Sequence, residues 1–505
     1  MRKADWRLVL LSALAVGIFA PALAYLALRG DADPVPDSDL ASNTPLETVQ
    51  QEDRTQGEER SLEVGDFVEI TSPGGCAVLE ALPQRETLYP RSSPCAGNGA
   101  TFVVTRGPRR EGERRFWSLS GLGWVDEQVL KRLDSDPRER LRAQQLISFV
   151  DENKDLYTIH VDGSDRRLVA EGPVGGYSWS PDGRRIAYGT HAAGNVLRAE
   201  RMVIVALDGD VEVEVDDVSG YSDFAWSPDG TMIVVSPSDE RGYDRNTFVL
   251  STETGERLLE LPETSYVSWS ADSRRLGLLQ YDTTQEPGLD YPSVAIYVDL
   301  ATGRAADLIE GGANYRDLLL GLPLFRPGRP DEIAYAGGVI NLITGDSLPL
   351  PGAVVRWSPD GRFAVLALQG PDHFAGHHYL LWELDARSAG RRSRMYISLP
   401  SCQCDGGTTF FAAEMLFSPD GRYFLSRNSD AGAEGSQIVA LRQGEDWPRI
   451  PHFGAPHQFS ADGRYLLVGS GDDEDKWIMV MPVQQGRVIA LQKGYLPAWQ
   501  PAASP

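Results

Sequence analysis

Acidic and imidazole side chains are concentrated in a few loop-like stretches of this 505-residue chain. Carboxylates in such stretches can bind cations, act as general acids or bases, or attract a basic partner. Imidazoles can in addition ligate transition metals. The candidate ligand-binding residues are Asp282, Asp290, His373, His377, His378, Asp472, Asp473 and Asp475.

The spacing of these residues matches neither a familiar metal site nor a familiar catalytic motif. The three histidines share one loop but lack the helical spacing of a two-histidine metal site. The acidic run at 472–475 lacks the glycine and the distal glutamate of a calcium loop. The chain contains no Gly-x-Ser-x-Gly nucleophile motif and no phosphate-binding glycine loop. We therefore predict no catalytic residue, no metal and no cofactor, and we interpret the acidic stretches as a binding surface.

The four cysteines form two pairs that are close in sequence. Cys76 and Cys95 flank one loop, and a disulfide between them would add about 3 kcal/mol if the geometry allows it. Cys402 and Cys404 form a Cys-x-Cys in a glycine-rich loop, where a metal site, a strained disulfide and free thiols all remain open. Four cysteines are compatible with an oxidising compartment.

A recurring motif, Trp-Ser-Pro-Asp-Gly, indicates how the chain positions these stretches. Successive copies start 32 to 60 residues apart. A period near 40 residues is typical of a β-propeller, in which each repeat forms one four-stranded blade. Complete copies occupy residues 179–183, 226–230 and 357–361, and variants begin at Trp269, Phe325, Phe417, Phe459 and Trp499.

The residue types of the motif predict a strand, a tight turn and a second strand. Proline presets φ for the turn, aspartate can accept hydrogen bonds from its own backbone, and glycine takes the left-handed position. The aromatic residue is expected to fill the gap between adjacent blades. Longer connections, which hold the acidic and histidine-rich stretches, follow the second strand of each repeat. Because loops carry most binding residues, we predict that this acidic face binds the ligand.

These repeats resemble those of the TolB-type propeller family over residues 146–505. The resemblance implies an all-β ring of eight blades, or seven if the short repeat at Phe325 merges with a neighbour. Residues 146–172 supply three strands of the first blade, and residues 495–499 are expected to return as its fourth strand and close the ring. The same ring serves scaffolds, peptidase gates and lyases, so the resemblance is specific for architecture and not for activity.

Residues 62–133 form a separate unit of short strands before the repeats. Its closing stretch, residues 116–130, contains a Gly-Trp-Val strand and resembles the end of bacterial SH3-type domains. The resemblance implies a small β-barrel that binds a cell-wall peptide or another envelope ligand, with Trp117 and Trp124 in the core or the groove wall. Residues 134–145 are polar and are predicted to be a spacer.

The N-terminal segment, residues 1–29, predicts export. Arg2, Lys3 and Arg7 precede a run without charges at 8–28, which is long enough to span a bilayer with the N-terminus in the cytoplasm. A signal peptide cleaved after Ala24 is the alternative, but the apolar run continues past that site and favours an uncleaved anchor. Residues 30–61 are acidic and poor in large apolar residues, so we predict a disordered linker.

The overall charge limits the possible partners. The chain has 48 lysines and arginines against 72 acidic residues, a formal net charge of −24. Such a field repels nucleic acids and anionic lipid surfaces. We predict a membrane-anchored, extracytoplasmic, non-enzymatic scaffold that docks an envelope protein or a cell-wall component. The alternative is a secreted or periplasmic form after signal cleavage, or a propeller hydrolase or lyase acting on peptide or glycan in the central funnel.

Overall fold

The structure is a computed structural model that describes most of the chain between Ser61 and Pro501. The described residues are 61–72, 76–78, 95–141, 145–191, 199–220, 223–236, 246–281, 293–308, 322–335, 338–368, 378–384, 394–399, 415–426, 437–440, 454–470, 476–485 and 487–501. All of them belong to the unit Ser61–Pro505. Within these residues, no helix has the length and the apolar character needed to cross a membrane. The predicted anchor and nearly all of the linker lie outside the described residues.

The described part of the chain is almost entirely β, as predicted. Two short 3-10 helices, Glu127–Val129 and Pro137–Arg140, interrupt the strands before the repeats. The strands of this region are β1 (Phe67–Ile70), β2 (Cys76–Val78), β3 (Cys95–Gly97), β4 (Thr101–Glu111), β5 (Arg114–Leu119), β6 (Gly123–Asp126) and β7 (Leu130–Arg132).

The long strand β4 organises this region because it pairs with two different neighbours. Its first residues pair with β1, and its later residues pair with β5, which in turn pairs with β6. Strand β7 follows the first 3-10 helix and pairs with the other edge of β1. Val68, Phe102 and Leu119 are fully buried between these strands.

The repeats form a series of antiparallel sheets, which we number 1 to 8 in chain order. Sheet 1 contains β8 (Leu146–Val150), β9 (Leu156–His160) and β10 (Arg167–Ala170); sheet 2, β11 (Val174–Trp179), β12 (Arg185–His191), β13 (Ala199–Ala206) and β14 (Val211–Gly220); sheet 3, β15 (Asp223–Trp226), β16 (Met232–Ser236), β17 (Asn246–Ser251) and β18 (Arg257–Pro262); sheet 4, β19 (Thr264–Trp269), β20 (Arg275–Tyr281), β21 (Ser293–Asp299) and β22 (Arg304–Asp307). Sheet 5 contains β23 (Phe325–Arg326), β24 (Arg329–Tyr335), β25 (Gly338–Asn341) and β26 (Ser347–Pro349); sheet 6, β27 (Ala353–Trp357), β28 (Phe363–Leu368), β29 (His378–Glu383) and β30 (Arg394–Leu399); sheet 7, β31 (Met415–Phe417), β32 (Tyr423–Ser426) and β33 (Gln437–Ala440); sheet 8, β34 (Gly454–Phe459), β35 (Tyr465–Ser470), β36 (Trp477–Pro482) and β37 (Ile489–Lys493).

Most of these sheets have four strands paired in chain order, which is the arrangement expected of β-propeller blades. The short repeat at Phe325 forms its own four-stranded sheet and does not merge with a neighbour. Sheet 7 has three strands among the described residues.

Sheet 1 takes its fourth strand from the far end of the chain. Strand β38 (Tyr495–Trp499) pairs antiparallel with β8, with Trp499 opposite Ile147. The backbone N–H of Gln500 extends this pairing and donates to the carbonyl of Leu146 at 2.9 Å. Sheet 1 therefore joins segments that are more than three hundred residues apart in sequence.

Successive sheets pack face to face, and the second strand of each contributes to both contacts. In β16, Ile233 and Val235 pack into a cluster with residues of sheet 2, whereas Val234 packs into a cluster with sheet 4. In β35, Leu466 packs toward sheet 7 and Leu467 toward sheet 1. Because both faces are buried, these strands are apolar at consecutive positions and do not alternate with polar residues.

The turn role predicted for the motif is confirmed at each intact copy. In the first copy, the Ser180 hydroxyl donates to Asp182 Oδ1 at 2.6 Å, and the Arg184 N–H donates to the same oxygen at 3.1 Å. The Arg185 N–H donates to Ser180 Oγ at 2.9 Å. The same three bonds recur in the copies centred on Asp229, Asp272, Asp360, Asp420 and Asp462.

The motif tryptophans also bond adjacent sheets to each other. The indole Nε1 of Trp226 donates to the carbonyl of Ser178 at 3.2 Å, and that of Trp269 donates to the carbonyl of Ala225 at 3.0 Å. In each case the acceptor directly precedes the motif aromatic of the previous sheet. Trp357 and Trp499 make the same bond, whereas Trp179 donates to the hydroxyl of Ser148. Phenylalanine at positions 325, 417 and 459 has no N–H to donate there.

The N-terminal strands are joined to sheet 8 in a nine-stranded sheet. The Thr101 N–H in β4 donates to the carbonyl of Val488 at 2.9 Å, next to a parallel contact between β4 and β37. Arg138, in the predicted spacer, donates to the carbonyl of Leu491 at 3.2 Å. One apolar cluster contains Phe102 and Leu119 together with Met481 of sheet 8.

We expect strand β38 to be required for the stability of sheet 1. Deleting residues 494–505 removes the buried Trp499 side chain, so the free energy of unfolding should fall by at least about 3 kcal/mol. Trp499→Phe keeps the strand and removes only the indole donor, which should cost about 1 kcal/mol. Chemical denaturation measures both, with Trp269→Phe as the matched change at an internal junction. An unchanged transition after the deletion would contradict the packing of β38.

The turn aspartates should make stability fall in acid. Burial alone would raise the pKa of Asp420, but hydrogen bonds from the Ser418 hydroxyl and from the N–H and side chain of Arg422 outweigh it and hold the pKa below its usual value. The stabilisation is therefore fully present above the pKa of the unfolded-state aspartate, about 4, and is lost as pH falls through the lower pKa of Asp420 in the folded protein.

Asp420→Asn should lower the free energy of unfolding by about 1 kcal/mol at neutral pH, and the difference from wild type should vanish in strong acid. Denaturation between neutral pH and strong acid measures this, with Asp307→Asn on the exposed outer strand β22 as the control. A difference that stays constant with pH would show that the charge of Asp420 is not what stabilises the turn.

Candidate functional site

The sheets have a uniform end and a variable end. The turns between first and second strands are five residues long in every intact copy, as in residues 180–184 and 358–362. The connections between second and third strands have very different lengths, such as residues 336–337 and 282–292. Because the strands are antiparallel, the two kinds of connection leave opposite ends of each sheet. We call these the turn end and the loop end.

Contacts between neighbouring turns show that the turn ends of adjacent sheets lie together. The Gln500 side chain donates to the carbonyl of Gly183 at 2.7 Å, and the Asp229 N–H donates to the Ser273 hydroxyl at 3.1 Å. Gly463 is so close to the previous turn that an added Cβ would lie 2.7 Å from Asp420 Oδ2. The loop ends of these sheets consequently share the opposite side.

In the chain, the predicted ligand-binding residues come after second strands, as expected from the sequence. Asp282 and Asp290 lie between β20 and β21, His373 and His377 between β28 and β29, and Asp472, Asp473 and Asp475 between β35 and β36. These seven positions lie outside the described residues. His378 is the first residue of β29, where its backbone pairs with Leu368. Their role in binding stays a prediction.

The predicted disulfide falls on two paired strands. Strands β2 and β3 are antiparallel, with Cys76 opposite Gly97 and Cys95 opposite Val78. The side chains of both cysteines lie outside the described set, so the disulfide stays a prediction. Cys402 and Cys404 are also outside the described residues. Within the described residues, no group of His, Cys, Asp and Glu side chains is arranged to hold a metal ion.

The described part of the loop end contains a cluster of lysines around Tyr495. The Lys154 and Lys476 ammonium groups lie 4.4 and 6.0 Å from the centre of the Tyr495 ring. Lys493 forms an ion pair with Glu152 at 3.1 Å. The chain contains five lysines, and these are three of them. We call Lys154, Lys476, Lys493, Glu152 and Tyr495 the seam cluster, because it lies where sheets 1 and 8 meet.

The seam cluster escaped the sequence analysis because its members come from distant parts of the chain. A tyrosine ring attracts cations on its face, and such a contact contributes about 0.5–1 kcal/mol at an exposed site. The Tyr495 hydroxyl is shielded from solvent and has no hydrogen-bond partner within the described part of the chain. One sequence signal could have identified these residues. Lysine is rare in this chain, and three of the five lysines stand beside predicted turns or strand ends.

A second tyrosine lies at the neighbouring junction, between sheets 1 and 2. The Tyr177 hydroxyl of sheet 2 lies 3.0 Å from the carbonyl of Ser148 and within hydrogen-bonding distance of the carbonyl of Leu496. Burial, outweighing the hydrogen bond with Ser148, raises the pKa of Tyr177 above its usual value. The phenol therefore stays neutral and acts as a structural donor. Leu496 has a φ of +50° and an exposed side chain.

The two tryptophans of the N-terminal strands, Trp117 and Trp124, differ in exposure. Trp117 is buried, and its Nε1 donates to Glu127 Oε2 at 2.9 Å, so it belongs to the core. Trp124 is half-buried on β6, and its place in a groove wall stays a prediction. Arg114 and Arg115 pair with Asp126 and Glu127 and so order the hairpin beside Trp124.

No protein-family model matches the chain, and no curated protein matches it. Many solved structures are similar to it. A structure described as the eukaryotic initiation factor is 14% identical and has a TM-score of 0.42, covering 71% of this chain and 99% of that one. TolB from Acinetobacter baumannii is 14% identical with a TM-score of 0.35, covering 79% and 83%. The putative TolB from Agrobacterium tumefaciens is 14% identical with a TM-score of 0.27, covering 69% and 88%. The assignment of propeller-type sheets rests on the strands of this chain itself.

Proposed function

We propose that sheets 1 to 8 close into an eight-bladed propeller, with β38 as the innermost strand of sheet 1. Apolar clusters support this proposal because most of them join residues of consecutive sheets. One cluster contains Leu467 and Ile478 of sheet 8 together with Phe149 and Ile159 of sheet 1. A closed ring leaves no sheet face without a neighbour. The deletion of residues 494–505 described above tests this closure.

We further propose that residues 62–133 form an SH3-type barrel. Its support is the strand order, in which one long strand is shared between two sheets and a 3-10 helix precedes the last strand. The half-buried Trp124 provides an aromatic surface beside charged side chains. Such a surface suits a peptide ligand, because tryptophan offers both apolar area and a hydrogen-bond donor.

The N-terminal segment supports a proposal of export and anchoring. The uncharged run at 8–28, preceded by Arg2, Lys3 and Arg7, fits a single span with the folded part outside the cytoplasm. An uncleaved anchor requires the mature chain to keep residues 1–24 and to fractionate with membranes. Mass spectrometry of the mature protein measures this. A mature chain that begins at Tyr25 would instead make the protein a soluble exported form.

The function that the geometry supports best is a non-enzymatic binding or scaffold protein that docks an envelope protein or a cell-wall component at the loop end. The observation that carries this proposal is the contrast between the two ends of the sheets. The turn end repeats one hydrogen-bonded turn, and the Ser and Asp side chains of that turn are engaged in it. The connections between second and third strands, by contrast, vary widely in length, and in sequence several of them are acidic, while the seam cluster adds lysines at the same end. Such a surface orients a partner by electrostatic complementarity.

Replacing the acidic run at the loop end should weaken capture of a cationic partner. The probe is an immobilised decalysine peptide. We expect the triple variant Asp472→Asn, Asp473→Asn, Asp475→Asn to bind it about tenfold more weakly, because three surface charge contacts are lost. Wild-type binding should also fade as added salt shortens the screening length from about 10 Å to about 3 Å.

The matched control removes three exposed charges from the turn side and outer strand of sheet 3. Glu253, Glu256 and Glu260 are exposed, and their replacement by glutamine changes the net charge equally. The control should keep its affinity for decalysine within about twofold, since small changes of surface charge are near neutral. Equal losses in both triple variants would show attraction by net charge alone. Hydrolysis of peptide or glycan by the wild type, lost in the Asn variant, would favour the hydrolase alternative.

A further inference from the structure

One position of the repeat directs its side chain toward the next sheet. It is the residue just before the motif aromatic, on the innermost strand. Ser268 shows this direction, since its hydroxyl donates to the carbonyl of Pro323 at 2.6 Å and accepts from the Phe325 N–H at 3.1 Å. Gln458 does the same when its Oε1 accepts from the Trp499 N–H at 2.9 Å. Across the repeats the position is occupied by Ser178, Ala225, Ser268, Leu324, Arg356, Leu416, Gln458 and Ala498.

Arg356 is the charged residue in this series. Its side chain is half-buried, and its Nε is shielded from solvent without a hydrogen-bond partner. Within the described residues, its guanidinium forms no hydrogen bond and no ion pair. Burial holds the pKa of the Arg356 guanidinium below its usual value, although an arginine in a protein remains charged. An uncompensated charge in such a place is unfavourable unless something pairs with it.

Other half-buried arginines near the inner strands are paired. Arg326 bonds to Glu332 at 2.7 Å and to the carbonyl of Gly361 at 2.8 Å. Arg275 bonds to Asp331 at 2.9 Å. The absence of such partners around Arg356 is therefore a property of this junction and not of the fold.

The junction that Arg356 faces also lacks the indole bond seen between other sheets. The next sheet begins with Phe417, which has no N–H to donate to the carbonyl of Arg356. Sheets 6 and 7 are held by apolar contacts such as that of Phe363 with Phe424. Other junctions are reinforced by an indole N–H bond or by a polar side chain at the position before the motif aromatic. At this junction neither bond forms among the described residues, and that position holds a guanidinium with unpaired donors.

We propose that Arg356 binds an oxyanion, a carboxylate or phosphate group of a small ligand, between the inner strands of sheets 6 and 7. A guanidinium matches these groups because its planar fork donates two parallel hydrogen bonds. The net charge of −24 disfavours anions in general, so an anion would need a direct contact with a cationic group such as Arg356. This ligand is distinct from the cationic partner proposed for the loop end, and the proposal does not depend on that partner.

Thermal unfolding of the full-length protein with sodium phosphate or sodium succinate tests the proposal and distinguishes the two anion types, with sodium chloride at equal ionic strength as reference. Binding to the native state raises the melting temperature. We expect at least one of the two anions to raise it for the wild type and for Arg110→Met, which removes an exposed arginine of the barrel. Arg356→Met should show a clearly smaller rise, limited to the general stabilising effect of the salt. Without added anion it should be at least as stable as the wild type, because an unpaired charge is gone.

The lysine variant separates anion binding from a merely structural role. Arg356→Lys keeps the charge but loses the planar fork, so its affinity for the anion should fall about tenfold or more. Equal affinity in Arg356→Lys, or a rise in the wild type no larger than that in Arg356→Met with either anion, would each overturn the proposal. If Arg356→Met is less stable than the wild type and neither anion binds through Arg356, the role of Arg356 is packing.

Discussion

Face-to-face packing of the repeat sheets is the interaction on which the rest of the structure depends. The second strands have buried side chains on both faces, as Ile233, Val234 and Val235 show. A single sheet of this kind cannot hide its apolar surface alone, so each sheet is stable only between two neighbours. The same requirement explains why β38 contributes to stability. Without it, the apolar cluster between sheets 8 and 1 would lose Trp499, which is fully buried there.

Hydrogen bonds then distinguish one junction from another. A tryptophan at the motif start adds an indole bond to the previous sheet, whereas a phenylalanine gives apolar packing alone. Each such bond contributes about 1 kcal/mol, so the junctions differ in strength although their shapes are alike. The junction between sheets 6 and 7 combines a phenylalanine with the unpaired Arg356. For this reason we propose that a ligand supplies the hydrogen-bond acceptors that this guanidinium lacks.

The N-terminal strands and the repeats share a core and a sheet. Phe102 and Leu119 pack in one cluster with Met481, and the Thr101 N–H bonds to Val488. A surface on the N-terminal strands is therefore held in a set position relative to sheet 8. If these strands and the loop end bind parts of one partner, this fixed geometry lowers the entropic cost of binding both.

The sequence by itself determined the turns, the repeat and the strand types, because these depend on neighbours a few residues apart. The Ser and Asp side chains of the motif bond the turn within five residues, even in the copy at Asp272 that lacks Pro and Gly, so the sheets from sheet 2 onward could be placed from their motifs. The seam cluster and the pairing of β4 with β37 depend on residues hundreds of positions apart, so no local sequence pattern predicts them. The lack of a partner for the Arg356 guanidinium also depends on residues that are distant in sequence. In sequence it is one more residue of an apolar strand, and only packing against its neighbours reveals a guanidinium without a partner.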